Sequence, residues 1–107
     1  MEAYKKYGKW FLRPNVQTIT DNVAAEICDF AKARRVSPVI DMTGVENCVN
    51  EFLFMFADIA PVLVNTSSSL LSVIYMTGYD KYARIFEDFV SFEDDRRELL
   101  NRRFRLV

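Results

Sequence analysis

The residues best suited to chemistry lie in one stretch, positions 38–53, which reads PVIDMTGVENCVNEFL. A short apolar segment ends at Asp41, a Thr-Gly turn follows, and a helix is predicted to begin between Asn47 and Asn50. A strand that leads into a helix places polar side chains beside backbone amides that lack an intrahelical partner. Polar groups around an apolar contact are typical of a protein-binding surface. The predicted partner-binding residues are Asp41, Thr43, Asn50, Glu51 and Phe52.

Catalysis is a weaker interpretation of the same stretch, because the chain contains no histidine. Histidine is the commonest general base and the commonest ligand of transition metals. Cys48 would lie near a helix N-terminus, where the pKa of a thiol can fall, but it has no histidine to activate it. Two cysteines without histidine do not make a structural zinc site, and the three glycines are too far apart to cradle a phosphate. We therefore expect no enzyme activity, no metal and no cofactor.

The composition predicts a single folded domain, residues 1–107. Half of the residues are apolar and 14% are aromatic, which is enough to build a core. The formal net charge is −1, so no net field attracts nucleic acid or an anionic membrane. The longest apolar run, from Phe52 to Val64, is interrupted by Asp58 and Pro61 and is too short to span a bilayer.

The expected location is the cytoplasm. The first five residues, MEAYK, do not begin a secretory signal. Without an export signal, Cys28 and Cys48 are better interpreted as reduced thiols than as a disulfide.

The first predicted element is a hairpin formed by two aromatic-rich segments, 4–7 and 10–13, with its turn at Gly8-Lys9. The segment up to Ile19 is interpreted as a connector, and Thr20 is predicted to cap a helix. Ser37-Pro38 should end that helix. Its inward-facing residues are predicted to be Val23, Ile27, Phe30 and Ala31.

Residues 39–42 predict a central strand, because a near-continuous apolar run suits a position covered on both faces. Residues 47–60 are ambiguous, because the apolar run from Phe52 to Phe56 also suits a buried strand. A cap at Asn47 or Asn50 and the proline at position 61 favour one helix. The five apolar residues from Phe52 to Phe56 leave two alternatives for this helix. Part of its apolar surface faces a partner or a second copy, or the helix is deeply buried.

The remaining elements follow the same alternation. A strand at 61–65 precedes a helix from Ser68 to Thr77 that ends at Gly78, with inner positions at Leu70, Val73, Ile74 and Thr77. A strand at 82–88 and a last helix, beginning in a capping-box-like pattern at Ser91 and Asp94, complete the order. Alternating strands and helices predict an α/β fold: a mostly parallel sheet with an N-terminal antiparallel edge hairpin and about four helices.

Several of these segments resemble the STAS domain of the anti-sigma factor antagonist family. Residues 39–45, VIDMTGV, are similar to the strand and turn that read vvlDlsgv in that family. Residues 76–81, MTGYDK, resemble its ltGldk turn, and the neighbouring strands and helices come in the same order. The resemblance covers nearly the whole chain through short motifs. It implies a bacterial protein consisting of a single STAS-like domain.

The chain differs from the family at the site where regulated members are phosphorylated. Regulated members carry an Asp-Ser-Ser-Gly-like run at the start of the second helix, where this chain has Val49-Asn50-Glu51-Phe52. Asn50 stands at the position of the phosphorylatable serine and has no hydroxyl group to receive phosphate. We therefore expect no phosphorylation at this position. The segment between Asp41 and Asn65 is also shorter than the family pattern, which implies a trimmed helix or loop.

The resemblance implies a non-enzymatic regulatory module that docks a protein partner through the start of the second helix. The partner would be an anti-sigma factor of the ATPase-type kinase class, a stressosome-like assembly or a transporter. The alternative is a self-associating structural or accessory subunit of such a complex, with a homodimer formed through the apolar second helix.

Overall fold

The computed structural model describes residues 1–88 and 90–95 of the chain. Its strands are β1 (Glu2–Lys6), β2 (Lys9–Arg13), β3 (Thr18–Ile19), β4 (Val39–Asp41), β5 (Asn47–Cys48), β6 (Val62–Val64) and β7 (Arg84–Phe86). Five of them form one sheet in the order β1-β2-β4-β6-β7, in which only β1 and β2 are antiparallel. The strands β3 and β5 form a separate parallel pair. The predicted α/β fold, with a mostly parallel sheet and an antiparallel edge hairpin, is confirmed.

The helices connect these strands in the predicted alternation. They are α1 (Asp21–Arg34), α2 (Asn50–Phe54), α3 (Phe56–Ile59) and α4 (Ser68–Thr77), followed by a 3-10 helix at Tyr79–Tyr82. Residues 90–95 are also helical. The basic residues Arg102, Arg103 and Arg105 lie outside the described residues.

The N-terminal hairpin has its turn one residue earlier than predicted, at Tyr7-Gly8. Both residues have positive φ, 52° and 77°, which is the conformation of a type I′ turn. Lys9 instead belongs to β2, where it lies opposite Lys6. The type I′ turn matches the twist of two paired strands, so the chain accepts a non-glycine residue at positive φ.

The core lies on both faces of the sheet, because successive residues of β4 and β6 point to opposite sides. Ile40 and Leu63 belong to a cluster that includes buried residues of all four α-helices. Val39 and Val64 belong to a second cluster, which includes Phe92 from the helical residues 90–95. All four strand residues are fully buried, so the predicted central position of 39–42 is confirmed.

The first helix is confirmed, with a shifted inner face. Ile27 and Ala31 are buried as predicted, whereas Val23 and Phe30 are only partly buried and Ala24 takes an inner position. The helix ends at Arg35, which adopts the left-handed conformation of a C-cap, rather than at Ser37-Pro38.

The single helix predicted for residues 47–60 is wrong in three ways. Asn47 belongs to β5, where it lies opposite Thr18 of β3, so it does not cap a helix. Val49 is the residue that precedes α2, and it provides no side-chain cap. Met55 then separates α2 from α3. The β3–β5 pairing joins segments that are far apart in sequence, so helical periodicity does not reveal it.

The apolar run at the second helix is mostly buried. Phe52, Leu53, Met55 and Phe56 lie in the core, and Phe54 is 60% exposed. Deep burial is therefore shown for four of the five residues, and contact of the exposed Phe54 with a partner or a second copy stays a prediction. Its buried residues pack against α1 and the sheet, and one aromatic side chain remains on the surface.

The helix α4 has the predicted bounds. The Ser67 side chain accepts a hydrogen bond from the Leu70 amide at 3.3 Å, and Gly78 ends the helix at φ 78°. Of the predicted inner positions, Leu70 and Ile74 are buried, whereas Val73 and Thr77 are exposed.

The last helix has a different cap from the predicted Ser91–Asp94 capping box. The Asp88 carboxylate accepts a hydrogen bond from the Ser91 amide at 2.8 Å. That bond makes Asp88 the cap and places Ser91 inside the first turn.

Candidate functional site

Asp41 is the centre of a polar cluster at the carboxyl end of β4. Its side chain is largely buried, with 8% of the residue surface exposed. One carboxylate oxygen, Oδ1, accepts hydrogen bonds from the Thr43 amide at 3.1 Å, from Thr43 Oγ1 at 2.6 Å and from Asn65 Nδ2 at 3.0 Å. The other oxygen, Oδ2, lies 3.8 Å from Arg13 Nε, which is an ion pair without a hydrogen bond.

The parallel register brings these residues together. Asp41 lies opposite Val64, so Asn65 is the next residue on the neighbouring strand. On the other side of β4, Leu12 of β2 lies opposite Ile40, so the next residue, Arg13, lies beside Asp41. The carboxyl ends of parallel strands lie at one edge of a sheet, which explains why side chains from three separate segments meet there.

The turn after β4 supplies the third partner. The Val45 amide donates a hydrogen bond to the Met42 carbonyl at 3.0 Å, and Gly44 has φ 80°. This tight turn points both the amide and the hydroxyl of Thr43 at Asp41. Sequence reasoning identified Asp41 and Thr43 but missed Arg13 and Asn65. The available signal was that each of these two polar residues ends, or directly follows, a strand that pairs with β4.

The electrostatics of the cluster favour the ionised form of the Asp41 carboxyl group. Burial of Asp41 favours its neutral form. The hydrogen bonds from the Thr43 side chain, Asn65 and the Thr43 amide, together with the Arg13 charge, outweigh burial and lower the pKa of Asp41 below its ordinary value. A carboxylate with a lowered pKa is a poor general base. Asp41 therefore acts as a structural anchor that ties the Thr43-Gly44 turn to the ends of β2 and β6.

The other predicted site residues lie at the start of α2. Asn50 and Glu51 are exposed on its first turn. Phe52 is fully buried, so its prediction as a partner contact is wrong, and the exposed aromatic side chain of this helix is Phe54. Among the residues that the structure describes, no hydrogen bond or ion pair joins Asn50 or Glu51 to the Asp41 cluster.

A groove between α1 and α2 places Glu51 in a surface that suits binding. The groove has a volume of about 290 Å³. It combines two acidic side chains with apolar ones, and its lining residues are Asp21, Ala24, Ala25, Cys28, Glu51 and Met55. Asp21 and Glu51 each belong to the first turn of a helix, where backbone amides favour a negative charge. The groove has an apolar floor and an acidic rim.

Cys48 is poorly suited to nucleophilic chemistry. Burial raises the pKa of its thiol to about 11, so the thiolate is scarce at neutral pH. The sequence had left open a lowered pKa near a helix N-terminus. The difference arises because Cys48 belongs to β5 and is partly buried against the core, rather than lying in the first turn of α2. The described residues also contain no group of three potential metal-ligating side chains.

Phe54 belongs to a small aromatic cluster at the end of α2. Its ring meets the ring of Tyr79 edge to face, with centroids 5.7 Å apart. Tyr79 lies 6.4 Å from Tyr82, which is exposed. The cluster extends the apolar surface of α2 onto the 3-10 helix.

No protein-family model and no curated protein sequence matches this chain. Across residues 1–88 and 90–95, none of the helices combines the length and the apolar character that crossing a bilayer requires.

Proposed function

We propose that this chain is a non-enzymatic regulatory module that binds a protein partner through the beginning of α2. The single observation that carries the proposal is the groove between α1 and α2, whose apolar floor is flanked by Asp21 and Glu51. Contact surfaces commonly combine an apolar centre with a polar rim. The acidic rim favours a partner segment that presents lysine or arginine beside an apolar side chain.

The polar cluster around Asp41 supports this proposal indirectly. Asp41 and Thr43 are engaged with each other and with Asn65, so they hold the turn before α2 in place. A surface that is held rigid before binding loses less conformational entropy in the complex. In the proposal, Asp41 and Thr43 position the site, and Glu51, Asn50 and Phe54 contact the partner.

The partner class comes from the resemblance to STAS domains. We propose a cytoplasmic bacterial protein in which residues 1–107 act as one STAS-like domain, and an anti-sigma factor of the ATPase-type kinase class as its partner. The mostly parallel sheet with an antiparallel edge hairpin supports this reading.

Regulation by phosphate at the start of α2 is not part of the proposal. Residues 45–56 contain no serine, threonine or tyrosine. The nearest hydroxyl, on Thr43, already donates to Asp41 at 2.6 Å. A phosphate on Thr43 would break that bond and place a second negative charge beside a buried carboxylate.

Charge reversal at Glu51 tests the docking groove. The chain is purified from its native cell with attached proteins, and the affinity for the identified partner is then measured by titration calorimetry. Glu51→Lys is expected to weaken binding by about 1–3 kcal/mol, because a carboxylate that meets a donor in the interface is replaced by a repelling charge.

Glu26→Lys is the matched control. Glu26 is exposed on α1 and does not line the groove, so the same change of charge is expected to leave affinity near the wild-type value. Arg34 is unsuitable as a control, because its guanidinium lies 3.7 Å from the ring centroid of Phe30 and 5.1 Å from that of Trp10. Normal binding by Glu51→Lys, with binding lost in Arg103→Glu, would move the docking surface to a basic segment outside the described residues.

Self-association through α2 is the second candidate function, and the exposure of Phe54 favours it. The exposed Phe54 ring, supported by the partly buried ring of Tyr79, suits contact with the same ring in a second copy. A dimer of this kind would be insensitive to salt, and Phe54→Glu would abolish it. A monomer in solution that still binds a partner through Glu51 would exclude it.

A further inference from the structure

The strand β1 is an open edge of the sheet. It occupies the first position in the strand order and pairs only with β2 among the residues that the structure describes. All five of its residues, Glu2–Lys6, are exposed. An edge strand presents unpaired amide and carbonyl groups, which another strand can use.

The geometry of the hairpin shows which groups of β1 are open. In a hairpin with a two-residue turn, the residue pair next to the turn is hydrogen-bonded, and bonded pairs then alternate along the strands. Lys6 and Lys9 form that first pair. Tyr4 and Glu2 therefore bond to β2 as well. Ala3 and Lys5 direct their amide and carbonyl groups away from β2, towards solvent.

We infer that β1 pairs with β1 of a second copy of this chain, in the antiparallel register centred on Tyr4. This inference goes beyond the proposed docking function and does not depend on it. In this register Ala3 lies opposite Lys5 of the second copy, so the outward amides and carbonyls of both residues are satisfied. Glu2 lies opposite Lys6 of the second copy, and the two-fold axis repeats this pair. The sequence EAYKK is thus self-complementary in both backbone bonding and charge.

Charge also selects this register over its neighbours. A shift that keeps the backbone bonding must move one strand by two residues. One such shift places Lys5 opposite Lys5 of the second copy, where like charges repel. The opposite shift places Ala3 opposite Ala3 and leaves Lys6 without a partner. Lysines usually protect an edge strand from pairing, but in the centred register neither lysine faces another lysine.

The surroundings of Tyr4 suit the two-fold axis. Its ring stacks on Phe11 of β2, with centroids 5.1 Å apart and planes within 5°. In the centred register Tyr4 lies opposite Tyr4 of the second copy, so the aromatic surface continues across the axis. Both copies use the same strand, so the contact closes at two chains and joins two five-stranded sheets into one.

Sedimentation velocity tests the pairing. Wild-type protein is measured at low salt across a wide range of concentration, up to about millimolar, because a contact of one short strand is weak. The dissociation constant of the dimer is expected to rise about tenfold or more in Ala3→Pro, which removes an outward N–H, and in Glu2→Lys and Lys6→Glu, which each create two like-charge pairs. Circular dichroism must show that each variant folds.

Mixing the two charge variants gives the sharpest readout. A Glu2→Lys chain and a Lys6→Glu chain place opposite charges across the axis at both sites, so the mixture is expected to recover wild-type affinity. Lys81→Glu is the matched control, since Lys81 is exposed on the 3-10 helix and belongs to neither strand of the hairpin. We expect it to dimerise like the wild type.

Three results would overturn the inference: a wild-type monomer over the whole range, a dimer that persists in Ala3→Pro, or a mixture of charge variants that stays monomeric. A dimer that Phe54→Glu abolishes while Ala3→Pro leaves it intact would place the contact on α2 instead. These results are independent of partner binding, because Glu51→Lys leaves β1 unchanged.

Discussion

The polar groups at two edges of the same sheet have opposite surroundings. At the carboxyl edge, Asp41 receives three hydrogen bonds and one ion pair from residues of its own chain. At the lateral edge, the residues of β1 are all exposed, and the outward groups of Ala3 and Lys5 face solvent. The Asp41 carboxylate is therefore bonded within the chain, although Arg13 Nε is buried there without a hydrogen bond, whereas the outward groups of the second edge are exposed.

This difference separates a polar cluster that stabilises the fold from a strand whose residues are exposed. A buried polar group without a partner costs free energy, so the hydrogen bonds that the Asp41 carboxylate accepts within the chain stabilise it. Exposed groups at the lateral edge bond to water and carry no such constraint. Asp41 therefore serves as an anchor, and the exposed residues of β1 and of the start of α2 are the surfaces for which we propose binding.

Substitution at the centre of the sheet should have the largest effect. Ile40→Ala is expected to lower the free energy of unfolding by about 2–5 kcal/mol, because Ile40 is fully buried and the change leaves a cavity. Chemical denaturation measures this loss of stability. An unchanged midpoint would contradict the central position of β4.

Substitution of the anchor should have an intermediate effect. Asp41→Ala is expected to lower the free energy of unfolding by about 1–3 kcal/mol at neutral pH, because Thr43 and Asn65 lose their acceptor. Asp41→Asn, which keeps the size of the side chain, should retain part of this stability.

The stability supplied by the anchor should also depend on pH. The pKa of Asp41 is lower in the folded chain than in the unfolded chain, where it is about 3.9. Its contribution is therefore complete above about pH 4–5 and is lost as pH falls through the folded pKa. Denaturation of the wild type and Asp41→Ala from neutral to acidic pH measures the gap between them. A gap that stays constant below about pH 4 would show that the charge of Asp41 does not stabilise the fold.

Substitution at the lateral edge should have the smallest effect on stability. Lys5→Thr is expected to change the free energy of unfolding by less than about 0.5 kcal/mol when measured in dilute monomer, because Lys5 is exposed. A loss as large as that of Asp41→Ala would mean that β1 contributes to the core, and the contrast between the two edges would fail.

The amino-acid sequence correctly predicted those parts of the fold that depend on residues close together in the chain. The bounds of α4 were predictable because a Ser67 cap and a Gly78 stop act within one helical turn of the residues they control. The strands β4 and β6 were predictable because continuous apolar runs suit strands covered on both faces. The predicted position of the hairpin turn was wrong by one residue. Tyrosine does not favour a positive φ, and Tyr7 adopts one because β1 pairs with β2 in this register.

The candidate site was predictable only in part. Asp41 and Thr43 are two residues apart, and their contact follows from a local turn. Asn65 lies 24 residues from Asp41 in sequence, and only the parallel register of β4 and β6 brings the two together. Phe52 was predicted to contact a partner, whereas the exposed ring is that of Phe54, two residues later. Residues 52–56 are all apolar, so periodicity has no polar position that would mark the exposed face.

By itself, the sequence determined the class of fold, the order of most of its strands and helices, the two ends of α4 and the absence of histidine chemistry. Composition, caps and apolar spacing are local properties, which act whatever the rest of the chain does. Only the tertiary structure decided the β3–β5 pairing, the partners of Asp41, the burial of Phe52 and the raised pKa of Cys48. Each of these depends on segments that are distant in sequence and become neighbours only when the sheet and helices pack.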